Sequence, residues 1–261
     1  MRGPASVGSS EEPAGLSRKP GPLALVGGEE LTPGNEAQDE VLVAAAGAGP
    51  AFVIATAAAR HDPAAAVRNA KRWFGALGLD IEELPALRRT DARSKRIADR
   101  ARGGRFFYLV GGDPGVVPSV LAGTPVWEAI VDAWLDGAAL GASSAGAMAL
   151  GTWTLVRREG PGHGRRRYVP ALGLVPRTAV LPHFDTFGNR WADDAVSSAP
   201  DPDTVLIGLD ERAAAVWRAG TWRAMGRGAV TVLSDGGRRR YSAGDAVEGL
   251  PDIATKSRAS P

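Results

Sequence analysis

The chain has 261 residues, of which 44% are hydrophobic, with a formal net charge of +2 and no cysteine. This composition is typical of a globular protein and excludes a disulfide framework and a cysteine nucleophile, and no apolar run approaches the length of a membrane span. The positive charge is spread along the chain apart from two arginine runs at 165–167 and 238–240, which we interpret as solvated loops rather than a nucleic-acid surface.

The two ends of the chain differ in composition from the middle. Residues 1–20 are rich in Gly, Pro and Ser and lack the apolar segment of a secretory signal, so we expect a disordered tail there. We expect a single α/β domain over residues 21–250 and a flexible tail over residues 251–261. The lack of cysteine and of a signal favours a cytoplasmic location.

Short apolar runs alternate with helical patterns through the first half of the chain. This alternation predicts βαβ units and a mostly parallel, doubly wound sheet. Asp62-Pro63 and Thr124-Pro125 are each typical of a helix start, with a capping side chain followed by proline at the first helical position. The predicted strands are 23–26, 51–56, 81–84, 105–110 and 138–143, and the predicted helices are 62–77, 91–102 and 124–134.

The second half of the chain has a different pattern. Strands are predicted at 153–158, 179–181 and 204–209, with a Gly- and Arg-rich loop at 159–168. Turn residues at Ala219-Gly220 and at 235–237 separate further strand-like segments and predict antiparallel hairpins on the edge of the sheet. The predicted fold class is therefore α/β, with a mostly parallel doubly wound sheet and C-terminal antiparallel hairpins.

The segment from Gly141 to Ala147 closes an apolar strand and opens a helix with Ser144 at the corner. A hydroxyl at such a turn is exposed, and the backbone N–H groups that follow it point at any oxyanion formed beside it. The same pattern also occurs in ordinary tight turns. Ser144 is the candidate nucleophile.

A serine nucleophile needs a base, and the chain has three histidines. His163 lies in the Gly- and Arg-rich loop, and His61 adjoins a predicted helix cap. His183 follows the apolar run 179–181, so its ring would be held at the end of a strand. His183 is therefore the candidate base.

The base in turn needs a carboxylate to orient it. Glu159 is the single acidic residue between Ser144 and His183, which makes it the default candidate, although a solvated ion pair in that arginine-rich loop also explains it. Asp185 and the pair Asp210-Glu211 are alternatives. The order of residues along the chain does not decide among them.

Six segments in this order resemble the S51 serine peptidases, which include dipeptidase E and the cyanophycinases. The similarity runs from about residue 23 to residue 232. That family has the three-layer class I glutamine amidotransferase-like fold. The segments are 25–28 (LVGG), 55–58 (ATAA), 110–113 (VGGD), 143–147 (SSAGA), 181–185 (LPHFD) and 207–211 (IGLDE).

The resemblance implies that Ser144 is the nucleophile, that His183 is the base and that an acidic residue between them, Glu159, completes the triad. It also implies an oxyanion hole formed by backbone N–H groups near Gly112 and Ala145, within a substrate-binding segment that includes Gly111 and Asp113. The implied substrates are small peptides, Asp-containing ones among them, with Arg190 or the loop arginines binding a carboxylate.

The resemblance implies neither a metal nor another cofactor, and neither a nucleic acid nor a membrane as partner; a homodimer is left open. Family members have glycine where this chain has Ala142, which motivates the alternative of a catalytically inactive binding or regulatory protein of the same fold. An esterase of the α/β-hydrolase kind is disfavoured, because the serine corner lacks its first glycine and a long strand-rich segment follows the histidine.

Overall fold

A computed structural model describes residues 19–157, 166–234 and 237–253 of the chain. Within those ranges the chain forms two β-sheets and a set of mostly short helices. The α-helices are α1 (Glu36–Ala46), α2 (Pro63–Ala76), α3 (Arg89–Ala92), α4 (Lys95–Arg102), α5 (Val116–Leu121), α6 (Pro125–Leu135), α7 (Ala145–Leu150) and α8 (Ala192–Ser197), with 3-10 turns at Thr56–Ala58 and Gly188–Trp191.

The first sheet contains the strands predicted from the first half of the chain and one hairpin from the second half. Its strands are β1 (Leu23–Val26), β2 (Ala51–Ile54), β3 (Glu82–Glu83), β4 (Phe106–Leu109), β5 (Ala139–Ser143), β10 (Ala213–Arg218) and β11 (Thr221–Gly226). Their order is β11-β10-β1-β5-β4-β2-β3. Five neighbouring strands of this sheet are parallel: β1, β5, β4, β2 and β3. The β10–β11 hairpin pairs with β1 in the antiparallel direction. The predicted mostly parallel sheet and its edge hairpin are confirmed.

The second sheet was not predicted. Its strands are β6 (Gly151–Arg157), β7 (Arg166–Pro170), β8 (Val175–Leu181), β9 (Val205–Leu209), β12 (Val230–Ser234) and β13 (Gly237–Tyr241). They are ordered β13-β12-β9-β8-β6-β7, with β8 parallel to both β6 and β9. The turn residues predict the β12–β13 hairpin on the edge of the first sheet. The hairpin instead forms one edge of the second sheet.

The parallel strands are buried on both faces. In β1, Leu23 and Leu25 belong to one hydrophobic cluster, and Ala24 and Val26 belong to another on the opposite face. The first cluster also contains residues of the second sheet, including Ile207. Near-continuous apolar strands are what a sheet covered on both faces requires.

Two predicted helix starts are confirmed. The side chain of Asp62 accepts a hydrogen bond from Ala65 N at 2.8 Å, and Thr124 caps α6 in the same way, each followed by proline. The predicted helix over 91–102 is instead two short helices, α3 and α4, which meet at Ser94. Among the described residues, no helix is both long and apolar enough to cross a membrane.

Candidate active site

Ser144 lies at a strained corner between β5 and α7. Its backbone has φ 49° and ψ −116°, a conformation rare for residues with a side chain, and its N–H donates to Val26 O at 2.9 Å. Small residues make room for the turn, since a Cβ on Gly146 would collide with the backbone of Leu109. The corner therefore has the strand-turn-helix geometry that the sequence predicts.

Ala142 does not disturb this corner. It lies inside β5, paired with Leu25 on one side and Leu109 on the other, and its φ is not positive. An extended strand accommodates a Cβ without backbone strain. The departure from glycine at this position therefore gives no structural reason for an inactive protein.

His183 follows β8 and contacts the serine. Its Nε2 lies 3.1 Å from Ser144 Oγ. Its backbone has φ 50°, and its N–H donates to Gly27 O at 2.8 Å. Gly28 lies beneath the imidazole with φ 127°, and a Cβ there would collide with the ring. Gly28 must therefore lack a side chain for the histidine to reach the serine.

Glu211 contacts the other ring nitrogen of the histidine. Its Oε1 lies 2.8 Å from His183 Nδ1, and both side chains are about one-fifth exposed. Asp185 accepts the backbone N–H of Glu211 at 3.0 Å and so supports the loop that carries this carboxylate. Asp210 points elsewhere: it is buried, and it accepts from Ala229 N and from Arg240.

The default third member, Glu159, lies outside the described residues. Among the alternatives raised from the sequence, Glu211 is the one whose carboxylate reaches the far nitrogen of His183. In the tautomer that carries its proton on Nδ1, the His183 ring donates a hydrogen bond to Glu211 Oε1. The geometry thus favours Glu211, and its signal in the sequence was its position directly after a buried strand.

Backbone N–H groups flank the serine on two sides. Ala145 is the first residue of α7, where the N–H has no acceptor within the helix. Gly112 has φ 147°, a Cβ there would collide with the backbone of Ala57, and its N–H has no acceptor within the described part of the chain. Gly111 differs, because its N–H donates to the Glu30 carboxylate at 2.7 Å.

Both carboxylate oxygens of Asp113 are bonded to other residues of the protein. Its Oδ2 pairs with Arg60 at 3.1 Å, and its Oδ1 accepts the N–H of Gly115 at 2.9 Å. Its own N–H donates to Ala57 O. These bonds hold the loop that follows β4 and, with it, the backbone of Gly112.

The serine and the histidine open into a cleft of about 1100 Å³. Arginines from the β6–β7 hairpin line one wall: Arg157, Arg166 and Arg167. Arg157 and Arg166 are directly opposite each other in the antiparallel pair. Burial, followed by the positive charge of Arg157, lowers the pKa of Arg166. With three arginines so close together, this wall is strongly cationic.

Aromatic rings connect this wall to the histidine. Phe187 stacks on His183 with ring centroids 4.9 Å apart, and Trp191 lies 5.3 Å from Phe187. The guanidinium of Arg166 lies 3.7 Å from the centre of the Trp191 ring. Arg190, named from the sequence as a carboxylate ligand, is exposed in the same 3-10 turn and is not part of the cleft wall.

The described residues contain no group of three or more His, Asp or Glu side chains that could hold a metal ion. The polar side chains that meet beside the cleft are a hydroxyl, an imidazole and a carboxylate in sequence. Sequence reasoning missed Glu30 and Phe187, because neither belongs to a segment whose spacing relates it to Ser144.

Comparisons with known proteins identify the family and the fold. The family described as peptidase family S51 matches residues 23–224. A peptidase from an acI-B1 Actinobacterium has a similar structure, with a TM-score of 0.76 and 27% sequence identity over 88% of this chain and 98% of that one. A putative peptidase E protein from Listeria monocytogenes EGD-e shares the fold, with a TM-score of 0.56 and 17% identity over 80% of this chain and 99% of that one. No curated protein sequence matches this chain.

Proposed function

The chain belongs to peptidase family S51 and is a peptidase-type hydrolase, and we propose that it cleaves small peptides through a Ser144-His183-Glu211 triad. The observation that carries this proposal is the continuous contact from carboxylate to hydroxyl: Glu211 Oε1 to His183 Nδ1 at 2.8 Å, and His183 Nε2 to Ser144 Oγ at 3.1 Å. A serine at pH 7 is a weak nucleophile, and this arrangement supplies the base it lacks.

The triad implies a defined series of proton transfers. Glu211 stays ionised and accepts a hydrogen bond from the Nδ1–H of His183, which leaves Nε2 unprotonated to take the proton of Ser144 Oγ as the oxygen attacks the peptide carbonyl. The N–H groups of Gly112 and Ala145 stabilise the oxyanion of the tetrahedral intermediate. His183 then protonates the leaving amine, an acyl-enzyme remains on Ser144, and water repeats the sequence to release the acid.

The cationic wall supports an acidic substrate. Within the described ranges no carboxylate pairs with Arg157, Arg166 or Arg167. Like charges directly opposite each other across two strands repel, and a bound carboxylate would offset that repulsion. A guanidinium can bind a carboxylate through two parallel hydrogen bonds. We therefore assign the acidic residue of the substrate to this wall rather than to Arg190.

Labelling with a fluorophosphonate tests the proposed function directly. The wild-type protein should be labelled at Ser144, whereas Ser144→Ala should show no label and should lose peptide hydrolysis by at least ~10⁴-fold. Labelling is read by intact mass, and the site by peptide mapping. This readout does not require the natural substrate.

Ser119 supplies a matched control. It lines the same cleft, but its hydroxyl donates to Val116 O at 2.8 Å. Ser119→Ala should label as fast as the wild type. A wild-type protein that takes up no label would contradict the proposed function and would favour a binding protein that has the fold but no turnover.

A further inference from the structure

The loop that follows β1 is strained in a way that places one side chain beneath Ser144. Gly28, Glu29 and Leu31 all have positive φ, at 127°, 53° and 59°. Positive φ in residues with a side chain costs about 1–3 kcal/mol and persists where the surroundings impose it. Glu30 lies between two of these positions and is only partly exposed.

The Glu30 carboxylate joins two segments that are distant in sequence. Its Oε1 accepts the N–H of Gly111, 81 residues away, at 2.7 Å, and its Oε2 accepts the hydroxyl of Ser143, 113 residues away, at 3.0 Å. Gly111 precedes the proposed oxyanion donor Gly112, and Ser143 precedes the proposed nucleophile Ser144. One carboxylate therefore bridges the residues that come immediately before both groups.

There is no room for a side chain between the Glu30 carboxylate and Ser144. A Cβ on Gly111 would lie 2.8 Å from Glu30 Oε1 and 3.1 Å from Ser144 Cβ. Gly111 must therefore lack a side chain for Glu30 and Ser144 to lie where they do. Because the carboxylate takes the Gly111 N–H, that group cannot serve as an oxyanion donor, and the neighbouring N–H of Gly112 is left for this role.

We propose that Glu30 is a positioning residue that fixes the oxyanion loop against the nucleophile, through its bonds to Gly111 and Ser143. The proposal rests on the function proposed above. An oxyanion donor acts at full strength only near 3 Å from the developing charge, and small displacements of reacting groups cost about 10²-fold in rate. The Glu30 carboxylate bonds to Gly111 and Ser143 and not to the hydroxyl of Ser144 or to His183, so we expect its effect to pass through the placement of Gly112.

The role requires hydrogen-bond acceptance from Gly111 rather than negative charge. A glutamine at position 30 retains a carbonyl oxygen for the Gly111 N–H and can offer its N–H₂ to the Ser143 oxygen, which can act as an acceptor. An alanine retains neither bond. The isosteric variant should therefore restore most of what alanine removes.

The test compares Glu30→Ala, Glu30→Gln and Glu29→Ala for hydrolysis of aspartyl p-nitroanilide and for the rate of fluorophosphonate labelling. Glu29 is the matched control, since it is adjacent and exposed and pairs with Arg212 at 3.1 Å. Glu30→Ala should lower kcat and the labelling rate by about 10²-fold with KM within threefold, as expected for a misplaced oxyanion donor. Glu30→Gln should stay within about tenfold of the wild type, since both hydrogen bonds remain possible, and Glu29→Ala should match the wild type.

Ser143→Ala provides a second variant that does not depend on the folding of Glu30→Ala. It removes one partner of the carboxylate at a buried site, with a side chain of nearly the same size. We expect kcat to fall by roughly threefold to tenfold, the loss of one hydrogen bond. For each variant, the amount of protein that can be labelled is compared with the total amount of protein. The kcat is then calculated per labelled site, so that an unfolded fraction does not lower it.

Three results would overturn the inference. One is a Glu30→Ala protein that is labelled as fast as the wild type. Another is a Glu30→Gln protein as impaired as Glu30→Ala, which would show that charge and not hydrogen bonding matters. The third is a Ser143→Ala protein with unchanged kcat. If the wild type itself is neither labelled nor active, the proposed function fails first, and the inference fails with it.

Discussion

Ser144 and His183 both adopt left-handed backbone conformations, and the same strand end holds both of them. The N–H of Ser144 donates to Val26 O, and the N–H of His183 donates to the next carbonyl, Gly27 O. A positive φ at a residue with a side chain costs about 1–3 kcal/mol, so each conformation needs such support. The carboxyl end of β1 therefore sets the distance between hydroxyl and imidazole.

The identity of the third triad member leads to a prediction at a single residue. Glu211→Gln removes the negative charge that stabilises the protonated imidazole and lets the amide N–H face Nδ1, which favours the wrong tautomer of His183. We expect kcat to fall by about 10²- to 10⁴-fold, with little change in KM. Steady-state kinetics on aspartyl p-nitroanilide measure both constants.

Glu159→Gln is the matched comparison, because it makes the same chemical change at the carboxylate first named from the sequence. It should leave kcat within about threefold of the wild type if Glu211 orients the histidine, because Glu159 would then have no part in the triad. The opposite ranking, with Glu159→Gln inactive and Glu211→Gln nearly normal, would return the role to Glu159.

At the scale of elements, the sequence predicts the parallel strands well because each is a short apolar run between turn signals. It does not predict α1, because the buried stripe of that helix includes Gln38 and Asp39, which weaken the hydrophobic periodicity. Nor does it show that later strands leave the first sheet for a second one. Parallel pairing of β6, β8 and β9 depends on contacts between distant segments, which local patterns do not contain.

The candidate site follows the same division. Ser144 and His183 each follow a predicted apolar strand, so sequence alone could place each at the carboxyl end of a strand, where parallel sheets bind ligands. The partner of His183 could not be chosen that way, since the order of residues along the chain does not decide between Glu159 and Glu211. Sequence patterns do not identify Glu30, because it belongs to no motif. A strained backbone segment brings its side chain close to the serine.

The β6–β7 hairpin leads to a prediction about substrate charge. Arg157→Gln and Arg166→Gln should each raise KM for aspartyl p-nitroanilide by about 10- to 100-fold, the loss of a charge-assisted hydrogen bond. KM for the asparaginyl analogue, which lacks the negative charge, should change little. Arg157→Gln should not lower the thermal unfolding midpoint, because it removes one of two opposed like charges. Arg166→Gln also removes the guanidinium from the Trp191 ring, so its midpoint should fall slightly.

Arg190→Gln serves as the control for these two variants, since it makes the same change in an exposed arginine of the 3-10 turn beside the cleft. It should leave KM for both substrates unchanged. A rise in KM for the aspartyl substrate with Arg190→Gln alone would place the acidic residue at the position first expected from the sequence.

At the scale of the whole molecule, helix α1 covers one face of the first sheet and buries a carboxylate there. Asp39 is fully buried, and its Oδ2 accepts the Trp73 indole N–H at 2.8 Å. Desolvation raises the pKa of Asp39 to about 7 from 3.8, and the charges of Glu30 and Glu36 add to the effect. Burial, followed by the charges of Asp39 and Glu30, raises the pKa of the neighbouring Tyr108 hydroxyl. An ionised Asp39 is therefore a cost to the fold at neutral pH.

This cost predicts how stability depends on pH. Because the folded protein holds the Asp39 proton more tightly than the unfolded chain, its contribution to the free energy of unfolding is complete below about pH 4 and is lost as pH rises to about 7. Three pKa units correspond to at most about 4 kcal/mol. Asp39→Asn keeps an oxygen for the Trp73 N–H but cannot ionise, so urea unfolding followed by tryptophan fluorescence should show the variant gaining on the wild type across that range. A difference in unfolding free energy that stays constant from pH 4 to pH 8 would contradict a buried, titrating Asp39.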